Sequence, residues 1–171
     1  MRKLVVILFL SAFLPAAGQA KPKGITITVK NAKGADIGTV KIKPMGSAVS
    51  FKLNLRGLTP GEHGIHVHQN AKCEGPDFKS AGPHFNPYGK KHGLENPEGA
   101  HAGDMLNITV DDKGMAKATI VNKGVSLGSE PHSLFANGGT SLVIHAKPDD
   151  MKSDPDGNAG AGIACGVIVK P

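Results

Sequence analysis

The chain has 171 residues, 39% of them hydrophobic but only 4% aromatic, with no Trp and one Tyr. That length suits one domain or at most two small ones, and aliphatic side chains must fill the core. Gly (23) and Pro (12) make up about a fifth of the chain, which argues against a helical bundle and for many turns. A formal net charge of +6 excludes little by itself, but the lysines are dispersed. No basic run forms a nucleic-acid arm, so no nucleic-acid partner is expected.

The first element reads as a leader. Arg2-Lys3 is a basic head, Leu4 to Leu14 is apolar apart from Ser11, and Pro15 to Ala20 supplies small residues before Lys21. This pattern predicts a secretory signal peptide over 1–20, cleaved after Ala20, ahead of one domain over 21–171. The apolar run is shorter than the roughly 20 residues a bilayer span needs, and no later run reaches that length. The expected product is exported, periplasmic or secreted, without a stable membrane anchor. Cys73 and Cys165 are the two cysteines. In an oxidising compartment two thiols point to one disulfide.

Apolar and polar residues alternate at 25–29, 40–43 and 49–55, the mark of half-buried strands. Turns follow at Asn31-Ala32-Lys33-Gly34, Met45-Gly46 and Gly57 to Gly61. Residues 65–67 form a fourth short strand. Residues 106–110 and 116–120 read as a pair around the turn Asp111-Asp112-Lys113-Gly114. Residues 142–144 and 163–169 complete eight strands. The expected fold is all-β, an eight-stranded antiparallel Greek-key barrel or sandwich. Two long strandless loops interrupt it, over 69–102 and 146–162, and loops of that length usually carry function.

Eight histidines decide the chemistry. His66-Val67-His68 places two imidazoles on one face of a strand, with Cβ atoms about 7 Å apart. His145 ends another strand and completes a site if the two strands are neighbours. Three neutral imidazoles suit copper or zinc. His84, His92, His101 and Asp104 form a second cluster. Three imidazoles and a carboxylate make a closed tetrahedral zinc set, which reads as structural. Such a site would also hold a long loop rigid, because its binding energy is folding energy.

Several segments carry a family resemblance: Gly64-Ile65-His66-Val67-His68, Ser80 to Pro87, Lys90-Lys91-His92-Gly93, His101-Ala102-Gly103-Asp104, Leu142 to His145, and Gly157-Asn158-Ala159-Gly160 with Ala164-Cys165-Gly166-Val167-Ile168. Together they resemble the copper/zinc superoxide dismutases of the exported bacterial type, over nearly the whole chain after the leader. The resemblance implies one copper per chain held by His66, His68, His84 and His145. It implies one zinc held by His84, His92, His101 and Asp104, so His84 would bridge the two metals. Asp149 resembles the carboxylate that links a zinc-ligand histidine to a copper-ligand histidine, and Cys73 and Cys165 match the family's disulfide. His63 matches a packing histidine, and His132 matches no ligand and is expected at the surface. The implied activity is disproportionation of superoxide anion to oxygen and hydrogen peroxide by alternate reduction and oxidation of copper.

One departure stands out. The family pattern Gly-x-Arg-x-Ala-Cys reads Gly160-Ala161-Gly162-Ile163-Ala164-Cys165 here. Gly162 stands where an arginine would attract the anion beside copper, so slower turnover than the family norm is expected. Lys147, Lys152, Lys90 and Lys91 are candidates to supply a positive field instead. The missing arginine also keeps open an exported copper-binding or storage protein with little turnover. A zinc hydrolase is disfavoured, because the zinc set has no open position and no adjacent general base. The choice between monomer and homodimer stays open.

Overall fold

Strict alternation shapes the first three strands. In the computed structural model, which describes residues 23–171, β1 (Ile25–Asn31) buries Ile27 and Val29 and exposes Thr26 and Thr28. β2 (Asp36–Met45) and β3 (Ala48–Leu55) bury Val40, Ile42, Phe51, Leu53 and Leu55 on the same side. The leader expected over 1–20 lies outside the described residues. The turns are where Gly and Asn predict them. Gly34, at φ +80°, closes onto the Asn31 carbonyl at 2.8 Å, and the Asn31 side chain accepts the Lys33 and Ala35 amides at 3.0 Å.

Among the described residues the chain continues with β4 (Gly61–His63), β5 (Ile65–His68), β6 (Ile108–Val110), β7 (Thr119–Asn122), β8 (Thr140–His145) and β9 (Gly162–Ile168). All pairings of these strands are antiparallel. The large sheet runs β5-β8-β9-β1-β2-β3-β7, and β4 pairs with β6 in a second, two-stranded sheet. The order β9-β1-β2-β3, with the last strand returning beside the first, is Greek-key connectivity. The all-β expectation holds, and the sheet curls into a half-barrel around an aliphatic core.

Two details differ from the sequence reading. β4 is a ninth strand, too short and polar to show alternation. The expected 106–120 hairpin does form its turn, with Gly114 N–H on the Asp111 carbonyl at 2.9 Å, yet its arms part. β6 joins β4 and β7 joins β3. The physical reason is competition for backbone groups: Leu55 and Ala116 exchange both their hydrogen bonds at 3.0 Å, and Leu53 takes the Ala118 carbonyl at 2.8 Å. The inward backbone groups of Ala116 and Ala118 are thus committed to β3.

β5 and β8 are buried on both faces. Ile65, Val67, Leu142 and Ile144 enter the main core. The opposite face is covered by the two long loops, 69–107 and 146–161. A disulfide joins Cys73 of the first loop to Cys165 of β9, within a small apolar cluster of Phe78, Ala81 and Val143.

Candidate metal centre

The register of β5 against β8 sets the site. Ile65 faces Ile144 and His66 faces Val143, so His66 and His68 share the loop-covered face with His145. A register shift between Ile144 and His145 accompanies the turn of the chain into the second loop. The isolated bridge between His68 and His84 brings the first loop alongside, and His84 reaches the same spot. One potential donor atom each from His66, His68, His84 and His145 lies within 4.8 Å of the others.

Hydrogen bonds decide which nitrogen of each ring faces inward. His68 Nδ1 donates to the Gly82 carbonyl at 2.6 Å, and His145 Nδ1 donates to the Gly160 carbonyl at 2.8 Å. Both Nε2 atoms then carry lone pairs, and they face each other at 3.3 Å. His66 Nε2 donates to Asp149 Oδ2 at 2.6 Å, which leaves Nδ1 bare. His66 Nδ1 and His84 Nε2 are buried with no hydrogen-bond partner. Four unprotonated nitrogens converging in a buried pocket are what a soft or borderline cation requires. Burial holds His66 far below the ordinary imidazole range, at about 3, and the Asp149 hydrogen bond only partly opposes it. Burial likewise lowers His68 and His145.

The second cluster shares His84. Asp104 Oδ1 lies 3.0 Å from His84 Nδ1, 3.1 Å from His92 Nδ1 and 3.4 Å from His101 Nδ1. The Asp104 Oδ2 atom accepts the backbone N–H groups of Gly93 and His101, both at 2.9 Å. Gly93 is glycine for two reasons. Its φ is +108°, and a Cβ there would sit 2.2 Å from the Met151 carbonyl. Burial disfavours the charge of Asp104, but hydrogen bonds from the three histidines outweigh it and hold the carboxyl well below its usual range. Burial also opposes a proton on His92, yet the carboxylates of Asp104 and Asp149 prevail and hold that imidazole at about 10. Without a metal, this pocket takes up a proton in place of a cation. The donor sets therefore fit copper and zinc.

Asp149 ties the two clusters together. Its carboxylate accepts from His66 at 2.6 Å and from His92 Nε2 at 3.1 Å, and hydrogen bonding overrides burial to keep it ionised. The sequence does not single out Asn107, which fixes Asp149 from both sides. Its amide donates to the Asp149 carbonyl, and its oxygen accepts the Asp149 N–H, each at 2.9 Å. Asp154 also escapes the sequence, although it accepts the His92 N–H at 2.8 Å. A lone Asn or Asp in a loop carries no periodic signal that would mark it. His63 is buried between the Thr59 and His145 carbonyls, at 2.8 and 2.7 Å. His132 lies at the surface against the Tyr88 hydroxyl.

These shifts give a sign for the metal-free protein. His66 binds a proton near 6.5 when unfolded but only near 3 when folded, so the unfolded chain gains protons as pH falls and stability drops below about pH 6.5. His92 works the other way. Its contribution is complete below about 6.5 and is lost as pH rises through about 10. Calorimetry of the metal-free protein is expected to show its melting temperature falling on both sides of neutrality, and a flat profile would contradict this.

Residues 37–168 match the family model described as copper/zinc superoxide dismutase. The chain is 50% identical over 170 residues to superoxide dismutase [Cu-Zn] 2 of Aquifex aeolicus (strain VF5), covering 98% of this chain and 99% of that one. The fold superposes on the crystal structure of a SOD-like protein from Bacillus subtilis with a TM-score of 0.80 and 34% identity, over 84% of this chain and 97% of that one. Against the Cu/Zn superoxide dismutase of Brucella abortus the TM-score is 0.70 at 32% identity, over 85% of this chain and 99% of that one. With a match this long in sequence and in fold, the chain belongs to the copper/zinc superoxide dismutase family.

Proposed function

We propose that the shared-histidine cluster divides the work of a superoxide dismutase between two metals. The chain disproportionates superoxide anion to oxygen and hydrogen peroxide. His66, through Nδ1, and His68, His84 and His145, through Nε2, would hold one copper. His84, His92 and His101, through Nδ1, with Asp104 would hold one zinc. The observation that carries this assignment is the pair of buried, partnerless nitrogens, His66 Nδ1 and His84 Nε2, aimed among the free nitrogens of His68 and His145. Copper, when bound, supplies the one-electron exchange. The Gly82 and Gly160 carbonyls fix the tautomers of His68 and His145. His84 Nε2 is the atom at which the chain can hold a proton, because Nδ1 is engaged on the Asp104 side. Asp104 keeps that ring in place. The disulfide supports an exported protein.

Gly162 supplies no cationic side chain where the family pattern has an arginine, and turnover below the family norm follows. Lys147 is one candidate substitute. Its exposed side chain passes 3.7 Å from where a Gly160 Cβ would stand, next to the carbonyl that orients His145. Copper storage is not favoured, because relatives at 50% identity are named as dismutases.

The test is to load the protein with copper and zinc, quantify both, and follow superoxide decay by pulse radiolysis at rising ionic strength. One ion of each per chain and metal-dependent decay are expected. Full loading with decay no faster than the metal-free protein would overturn the assignment. Gly162→Arg is expected to accelerate decay, within the 10- to roughly 1,000-fold range that steering provides. The new Cβ would press on Val143 at 3.0 Å and the Asp77 carbonyl at 3.1 Å, so the neighbours must give by a few tenths of an ångström. An unchanged rate and salt slope would refute the slow-turnover reading.

A further inference from the structure

We infer that the outer face of β2 and β3 carries a second, non-catalytic anion site that takes adjacent phosphate groups. In the register of this pair Lys41 stands directly opposite Lys52, and Thr39 opposite Asn54. Lys41, Lys52, Thr39 and Asn54, joined by Lys117 from the neighbouring segment, line one cleft of about 340 Å³. Thr39 and Asn54 also line an adjoining cleft of about 270 Å³ that ends at Arg56. Arg56 continues the outward row of Lys52 and Asn54, its backbone N–H held by the Ile37 carbonyl at 2.8 Å.

Like charges directly opposed across an antiparallel pair repel, so an unpaired Lys41–Lys52 couple costs the fold something. Nearby acids would relieve it, but no carboxylate lines either cleft. Among the ion pairs of the described residues none involves Lys41, Lys52, Lys117 or Arg56. The four cations flank a hydroxyl and an amide that can donate to the same ligand. Two-residue steps along a strand are about 7 Å, so the lysine couple and Arg56 stand on either side of the Thr39–Asn54 row. That spacing asks for more than one anionic group. Arginine's planar fork favours phosphate oxygens. The site is separate from the metal centre, since β9 and β1 intervene between β8 and β2 in the sheet. Phosphate groups of this kind occur in soluble phosphodiesters and in lipid headgroups.

The experiment measures binding of a fluorescent poly(glycerol phosphate) oligomer to the metal-loaded protein by anisotropy. Co-sedimentation with phosphatidylglycerol vesicles is run in parallel. The wild-type protein is expected to bind the oligomer, more weakly as salt rises. The triple variant Lys41→Gln, Lys52→Gln, Arg56→Gln is expected to lose at least about tenfold in affinity. The control variant Lys72→Gln, Lys123→Gln, Lys170→Gln, with the same change in net charge, is expected to keep wild-type affinity. Oligomer binding alone assigns the site to soluble phosphodiesters. Vesicle binding lost in the same triple variant assigns it to lipid headgroups. No binding by the wild type, or equal losses in the two variants, overturns the inference.

Discussion

Asp149→Ala is expected to weaken binding of both metals by about 10- to 100-fold, the usual cost of losing an orienting partner. The carboxylate is buried at 4% exposure and is the common acceptor for the outer nitrogens of His66 and His92. Without it each ring can turn or carry its proton on the inward nitrogen, where it blocks a cation. The backbone of Asp149 is held independently by Asn107, so the fold should survive. Asp149→Asn separates tautomer control from mere packing. A carboxamide has one acceptor oxygen, so one of the two histidines must face its amide nitrogen and reverse its proton. The asparagine variant should therefore lose nearly as much as the alanine variant. Chelator competition for zinc and copper checks this, and unchanged affinities in Asp149→Ala would remove Asp149 from the site.

Removing the disulfide by Cys73→Ser together with Cys165→Ser is expected to cost the metal-loaded protein up to about 4–5 kcal/mol, since the bridge closes a 92-residue separation. The lost cross-link frees the denatured chain. It also loosens the start of the first loop, where Phe78 and Ala81 pack around Cys165 and Val143. The Gly82 carbonyl that orients His68 follows directly in the chain. The zinc-type residues lie further along and are clasped by the second loop through Asp149 and Asp154. Copper should accordingly be released at a lower denaturant concentration than zinc. Denaturant titration with metal analysis reads both effects, and a loss below about 1 kcal/mol would show that packing alone anchors the loop.

Local pattern carried much of this molecule. Side chains repeat every two residues along a strand, so Ile25 to Val29, Val40 to Lys43 and Val49 to Leu55 announce their buried faces. The same rule puts His66 and His68 together on one face. The turn at Asn31 to Gly34 needs a residue at ease with positive φ, and Gly34 is there. The family motifs, dense in glycine and histidine, pointed to the two candidate metal sets and to Gly162 in place of arginine. Periodicity does not say which strand lies beside which. The arms of the 111–114 turn part: Ala116 and Ala118 bond to β3, while β6 pairs with β4. The proton positions were equally hidden. Which nitrogen of His68 or His145 faces inward depends on the carbonyls of Gly82 and Gly160, 14 and 15 residues away in the chain, and the orientation of Asp149 depends on Asn107. Sequence determined which residues share a face, because that is a local geometric repeat. Only the tertiary structure decided partners, tautomers and the opposed lysines of β2 and β3, because those follow from backbone groups competing across long loops.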